Sequence, residues 1–249
     1  MAGVRVTLLV TCVVDLLEPE VGEATVRVLR AAGCEVTVSL GQTCCGQPAW
    51  NAGHAPEAAK VALTTLTALE AELADGAEAV VVPSGSCTSM VRVFWPELFD
   101  VAGDPQAAER ARRVGEQTFE LSEFLDGRDL PALTGPATRV AYHHSCHMLR
   151  ELGVRGAPEG LIDRVDGAER VGWVGDDRCC GFGGLFAVKL PEVSVAMADE
   201  KLVALADARP DVVVGCDASC LAQLRTRSES VGAPVRTRHL AQLLDQSLP

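Results

Sequence analysis

What this chain lacks narrows its possible roles first. No apolar run in its 249 residues approaches the roughly 20 residues of a membrane helix; the longest, at residues 5–14 and 79–82, are strand-sized, so direct membrane insertion is not expected. The N-terminus has no cationic segment, long apolar core or small-residue cleavage site, so a secretory signal is not expected either. Basic residues are scarce: 22 Lys and Arg stand against 34 Asp and Glu, for a net charge of −12. That balance argues against a nucleic-acid partner and against docking on anionic lipid. There is no G-x-G-x-x-G, no phosphate loop ending in Lys-Ser/Thr and no evident Ser-His-Asp set. Close C-x2-C pairs, the usual signature of structural zinc, are missing, as is a ferredoxin-type C-x2-C-x2-C-x3-C run.

Cysteine is what the chain has in excess, with ten residues. Eight of them form a duplicated pattern. Cys12, Cys44, Cys45 and Cys87 read C-x31-CC-x41-C; Cys146, Cys179, Cys180 and Cys220 read C-x32-CC-x39-C. Both vicinal pairs precede a glycine, Gly46 or Gly181, and the second continues Phe182-Gly183-Gly184. A cytoplasmic location is expected, where thiols stay reduced and clustered cysteines read as metal ligands or redox groups rather than structural disulfides. Adjacent cysteines in a straight strand point to opposite faces, so aiming both sulfurs at one point requires a sharp turn. Glycine allows that turn because it reaches positive φ without a Cβ clash.

The rest of the chain alternates strand and helix patterns. Strands are predicted at residues 4–10, 34–40, 79–82, 139–142, 170–174 and 211–214, and helices at 18–32, 55–73, 106–125, 190–208 and 239–244. Residues 126–136, rich in Gly, Pro and Asp, read as a linker between a first domain at 1–130 and a second at 137–249. The expected fold is α/β, with two pseudo-symmetric halves, each a small parallel sheet with flanking helices. Ligands of such sheets sit at the C-terminal ends of the strands, and every cysteine of the duplicated set lies at or just past such an end. The expectation is therefore two sulfur-ligated sites, one per half. Iron–sulfur clusters, which take several thiolates in Gly-rich loops, are the leading occupants. Zinc, at one site or both, and a catalytic cysteine pair are the alternatives.

The motifs Val10-Thr11-Cys12, Cys44-Cys45-Gly46-Gln47-Pro48, Pro83-Ser84-Gly85-Ser86-Cys87-Thr88, Cys146, Cys179-Cys180-Gly181-Phe182-Gly183-Gly184 and Ser219-Cys220-Leu221 resemble those of the lactate utilisation protein A family. That family belongs to a cysteine-rich "CCG" group with the cysteine-rich subunit of heterodisulfide reductase and the iron–sulfur subunits of glycolate and anaerobic glycerol-3-phosphate dehydrogenases. The resemblance implies an iron–sulfur subunit of a bacterial system oxidising L-lactate to pyruvate. It also implies [4Fe-4S] clusters, one or two per chain, and two partners: a ferredoxin-like iron–sulfur subunit and a third small subunit. Such a chain is a redox subunit rather than a complete catalyst. Alternatives are a glycolate or other 2-hydroxy-acid system, a thiol–disulfide redox protein, and a zinc-stapled scaffold. The chain departs from the heterodisulfide reductase pattern, which ends each motif with C-x2-C and holds a non-cubane cluster. Here Cys87 is followed by Thr88, Ser89 and Met90, and Cys216 precedes Cys220 at C-x3-C.

Cys216 is read as a core cysteine with a fifth thiolate as the alternative, and Cys34 as core. His143, His144 and His147 crowd around Cys146; hydrogen-bonded turn histidines are favoured over ligands there, although imidazole can bind iron or carry protons. His54 and His239 read as a surface group and a helix-start group, and Lys189 as a surface lysine rather than a carboxylate anchor.

Overall fold

The apolar run near the N-terminus forms the first of eight strands in a computed structural model describing residues 3–249; the first two positions of the expected first domain lie outside the described residues. The first half runs β1 (Arg5–Leu8), α1 (Cys12–Leu17), α2 (Pro19–Ala31), β2 (Glu35–Thr37), α3 (Gln47–Asn51), α4 (Ala55–Ala74), β3 (Ala79–Val82) and α5 (Gly85–Ser89). A π-helical turn at Met90–Phe94 leads into α6 (Trp95–Val101), α7 (Pro105–Glu116), β4 (Thr118–Glu120) and α8 (Leu121–Leu125). The second half runs β5 (Leu133–His143), α9 (Cys146–Arg150), α10 (Gly156–Asp163), β6 (Val165–Arg170), α11 (Leu185–Lys189), α12 (Pro191–Ala208), β7 (Val212–Gly215), α13 (Ala218–Ser230), β8 (Thr237–His239) and α14 (Leu240–Ser247).

The two sheets share one topology. Their orders are β2-β1-β3-β4 and β6-β5-β7-β8, and every pairing is parallel. The fold is thus α/β with two pseudo-symmetric halves. The central strands β3 and β7 are buried at every residue, which explains their unbroken Val-rich runs: strands covered on both faces do not alternate.

The halves do not bury wholly separate cores. Val6, Val81, Val140, Tyr142, Val212 and Val214 face one another through a layer of four helices, α2, α8, α10 and α14, in one continuous apolar cluster. The pairs α2–α14 and α8–α10 cross the boundary as counterparts. The alternate residues Val80 and Val82 point the other way, toward α4, α6 and α7. Ala141 and Val213 likewise turn from the shared core to a smaller cluster containing Leu205 and Leu221.

Four local expectations differ from the structure. The helix expected over 106–125 breaks at Glu116, and Thr118–Glu120 forms a fourth strand before a separate short helix. The buried Glu120 side chain caps that helix and, with Glu123, closes a capping box, which fixes a new start. The strand expected at 170–174 lies at Val165–Arg170; past it a single backbone bond, Val171 N–H to the Val140 carbonyl, continues the ladder before Gly172. The strand expected over 34–40 is confined to Glu35–Thr37. Finally, β5 begins at Leu133, inside the 126–136 stretch read as a linker, with its register shifting between Thr134 and Thr138 around Gly135-Pro136.

Candidate metal centre

The segments after β1, β2 and β3 carry Cys12, Cys44, Cys45 and Cys87, and those after β5, β6 and β7 carry Cys146, Cys179, Cys180 and Cys220; the vicinal pairs sit in loops and the four single cysteines in the first turn of α1, α5, α9 and α13. Because the halves face each other, all eight cysteines line one cavity of about 200 Å³, together with Gly183 and Gly184. Two sites, one per half, were expected from sequence; the structure brings both cysteine sets to the same space. All ten cysteines are free thiols.

Within the first set, Cys12 Sγ lies 3.5 Å from Cys44 Sγ, and Cys45 Sγ lies 3.5 Å from Cys87 Sγ. The second set repeats the pairing, Cys146 with Cys179 and Cys180 with Cys220. Backbone N–H groups are aimed at the sulfurs: Gly46 N to Cys44 Sγ at 3.4 Å, Gly181 N to Cys179 Sγ at 3.4 Å, and Phe182 N to Cys180 Sγ at 3.5 Å. Cys44 is driven toward the thiolate by bonds donated from Cys12 and Cys45 and by the Gly46 N–H. Cys179 is driven the same way by Cys146 and Cys180. The donor thiols Cys12, Cys45, Cys146 and Cys180 are pushed up, first by that bonding and then by burial.

The vicinal pairs turn at Gly46, with φ +86°, and Gly181, with φ +87°. A Cβ on Gly46 would sit 2.7 Å from the Ala58 carbonyl oxygen, and one on Gly181 2.5 Å from that of Ser194. Both positions therefore need glycine twice over, for conformation and for space. Gly183 and Gly184 also hold positive φ.

Buried side chains hold these loops. In the first half Thr65 Oγ1 donates to the Cys44 carbonyl and Trp95 Nε1 to that of Cys45, at 3.1 and 2.8 Å. In the second, Ser194 Oγ donates to the Gly181 carbonyl at 2.7 Å, and buried Lys201 donates from Nζ to the carbonyls of Gly175, Asp176 and Arg178. Thr11, the residue before Cys12, has φ +72°. That is a strained setting for a β-branched side chain, costing on the order of 1–3 kcal/mol.

The halves are also tied beside the cavity. Asp217 Oδ1 accepts from Ser84 Oγ, Ser86 Oγ and Ser86 N at 2.7, 2.7 and 3.1 Å. Gly85 lets α5 approach α9, since a Cβ there would lie 2.5 Å from Met148 Cβ. Neither Asp217 nor Ser84 carries a sequence signal for this role beyond a position next to a cysteine-bearing turn.

The remaining singled-out residues divide clearly. Cys216 and Cys34 belong to the shared apolar core, and Cys216 accepts from Tyr142 Oη at 3.3 Å, outside the cavity lining. His144 is held by Glu159, Nε2 to Oε1 at 3.0 Å. His147 lines the cavity, with Nδ1 3.3 Å from Glu151. His239 caps α14, its Nδ1 accepting from Ala241 N. His54 precedes α4 and is exposed, as is Lys189. His143 is buried, and burial pushes its pKa down to about 3.

The donor set suits a thiophilic metal group. Paired sulfurs in reduced form, N–H groups directed at them and a buried apolar surround are what thiolate-held iron or zinc requires. Among the described residues no helix is long and apolar enough to cross a membrane.

Comparison with known proteins agrees with this geometry. The cysteine-rich domain family, CCG, matches twice, at residues 6–92 and 140–225. The chain is 44% identical over 248 residues to lactate utilization protein A of an Exiguobacterium species, covering 98% of both chains. It is 42% identical to the protein of that name from Geobacillus kaustophilus, covering 97% of this chain and 98% of that one, and 41% identical to that of Bacillus velezensis, covering 97% and 99%. Among solved structures, a hypothetical protein from Helicobacter pylori superposes with a TM-score of 0.67 at 9% identity over 98% of this chain. The chain spans 49% of that protein, and the likeness is one of fold. The chain is thus a member of the cysteine-rich CCG family, belonging with the lactate utilization protein A proteins.

Proposed function

We propose that the protein is an iron–sulfur electron-transfer subunit of a cytoplasmic bacterial system that oxidises L-lactate to pyruvate. One observation carries this reading: eight reduced cysteines, four from each half, converge on one cavity. Cys12, Cys44, Cys45 and Cys87 would hold one [4Fe-4S] cluster, and Cys146, Cys179, Cys180 and Cys220 the other. Bound there, such a group takes up and releases single electrons. The chain's own residues set the conditions. N–H groups of Gly46, Gly181 and Phe182 stabilise negative charge on sulfur, and Thr65, Trp95, Ser194 and Lys201 fix the loops. Oxidation of lactate to pyruvate releases two electrons and two protons. With no ferredoxin-type cysteine run of its own, the chain hands electrons to or from a ferredoxin-like partner subunit, with a third small subunit completing the system. The substrate rests on the names of the relatives.

The deciding experiment is anaerobic purification, with iron, acid-labile sulfide and zinc measured per chain and a visible spectrum taken before and after dithionite. Several irons with matching sulfide and a spectrum that bleaches on reduction are expected. Stoichiometric zinc without iron would replace the reading with that of a scaffold. No metal after reconstitution with iron and sulfide would replace it with thiol–disulfide chemistry.

A further inference from the structure

His143 closes β5 and is 1% exposed, yet neither ring nitrogen has a hydrogen-bond partner among the described residues. A buried, unpartnered imidazole costs on the order of 1–3 kcal/mol and calls for a physical reason. The neighbours supply one. A ring nitrogen of His143 and the sulfurs of Cys180 and Cys220 all lie within 4.8 Å of one another. In a [4Fe-4S] cluster held by four side chains each iron takes one of them. Within that reach the imidazole can take the iron that one of these two thiolates would otherwise hold.

The first half has no counterpart. His143 stands three residues before Cys146; Leu9 stands three before Cys12 and packs into the apolar cluster beneath α4 and α6. Across the sheet His143 pairs with Gly215, five residues before Cys220, where the first half has Val82 five before Cys87. Exchanging Leu for His trades an apolar contact for an imidazole, and Gly215 admits the Leu221 side chain where a Cβ would lie 3.3 Å from it. His144 is hydrogen-bonded to Glu159, and His147 Nδ1 lies 3.3 Å from Glu151 without a hydrogen bond, so His143 alone of the three has neither a bond nor a carboxylate beside it among the described residues. The Asp176 carbonyl faces the His143 ring without completing a hydrogen bond. That carbonyl already accepts from His144 N and Lys201 Nζ.

We propose that the His143 imidazole ligates an iron of the second site in place of the Cys180 or Cys220 thiolate, so that the two halves hold unlike sites: four thiolates in the first, three thiolates and one imidazole in the second. This rests on the iron–sulfur reading above. A neutral imidazole in place of an anionic thiolate raises a cluster's reduction potential, so the second site is reduced before the first.

The test is pulsed electron paramagnetic resonance on the full-length protein, loaded with iron and sulfide and grown with either ¹⁴N- or ¹⁵N-histidine. A nitrogen coupling that changes with the isotope is expected in wild type, lost in His143→Leu and kept in His147→Leu. In a redox titration His143→Leu lowers the higher of two midpoint potentials and leaves the other unmoved. Iron-loaded wild type with no isotope-sensitive coupling overturns the proposal, and needs no variant to fold. So does a coupling that survives in His143→Leu. Protein that takes up no iron and sulfide fails at the underlying reading, which the metal analysis identifies separately.

Discussion

Asp217 Oδ1 and Ser84 Oγ lie 2.7 Å apart across the boundary between the halves, each at the start of a helix that carries a cavity cysteine. Ser84 caps its own helix by accepting from Cys87 N, whereas Asp217 makes no such bond to α13 and turns its carboxylate onto the other half. One buried carboxylate and two serines therefore tie the two cysteine sets together beside the cavity.

Asp217→Ala leaves both serines without their acceptor. It is expected to destabilise the protein by on the order of 3 kcal/mol, since bonds to a charged group are each worth about 1.5–3 kcal/mol and are not additive. Asp217→Asn keeps an acceptor oxygen and should lose less. Urea unfolding of the two variants against wild type gives both numbers.

Gly181→Ala meets the Ser194 carbonyl at 2.5 Å as well as the unfavourable φ of +87°. Gly33 has φ +80° with nothing near its Cβ position, so Gly33→Ala isolates the conformational cost, about 1–2 kcal/mol. Gly181→Ala should exceed that in thermal unfolding and should also lower metal loading, while Gly33→Ala should not affect loading.

Glu120 gives a pH dependence with a definite sign. Burial raises its pKa from 4.5 to about 7, against the bonds from Ser122 that favour the charged form. Between those values the folded chain keeps a proton that the unfolded chain has released. Its contribution to stability therefore falls as pH rises from 4.5 to about 7, then stays level. Glu120→Gln, which retains an oxygen for the Ser122 cap, removes that slope. Its stability relative to wild type should climb across the same window by up to about 3 kcal/mol. Denaturant titrations at several pH values between 4 and 8, taken as variant minus wild type, read the difference.

Cys180→Ser is expected to remove the iron of the second set and spare that of the first, so iron per chain should fall by about half; Cys45→Ser should do the reverse. Loss of all iron from either single variant would mean instead that one group spans the cavity. Iron and sulfide analysis of the two variants and their combination separates these outcomes.

The sequence by itself determined the α/β alternation, the central strands at 79–82 and 211–214, the duplicated cysteine spacing and the glycine after each vicinal pair. These are local: a run of β-branched residues, a helical period, a turn that only glycine accommodates. The three-residue β4 carries too short a pattern to interrupt the helical signal on either side, and β6 was displaced because its exposed Asp166, Glu169 and Arg170 do not read as a strand. Tertiary structure alone decided that eight cysteines share one cavity, that Asp217 reaches Ser84, and that His143 lies beside Cys180 and Cys220 with no hydrogen-bond partner among the described residues. Each depends on how the apolar faces of α2, α8, α10 and α14 pack the halves together. Contacts between residues more than a hundred positions apart leave no periodicity in the chain, because they are set by the summed burial of those faces rather than by any neighbouring residue.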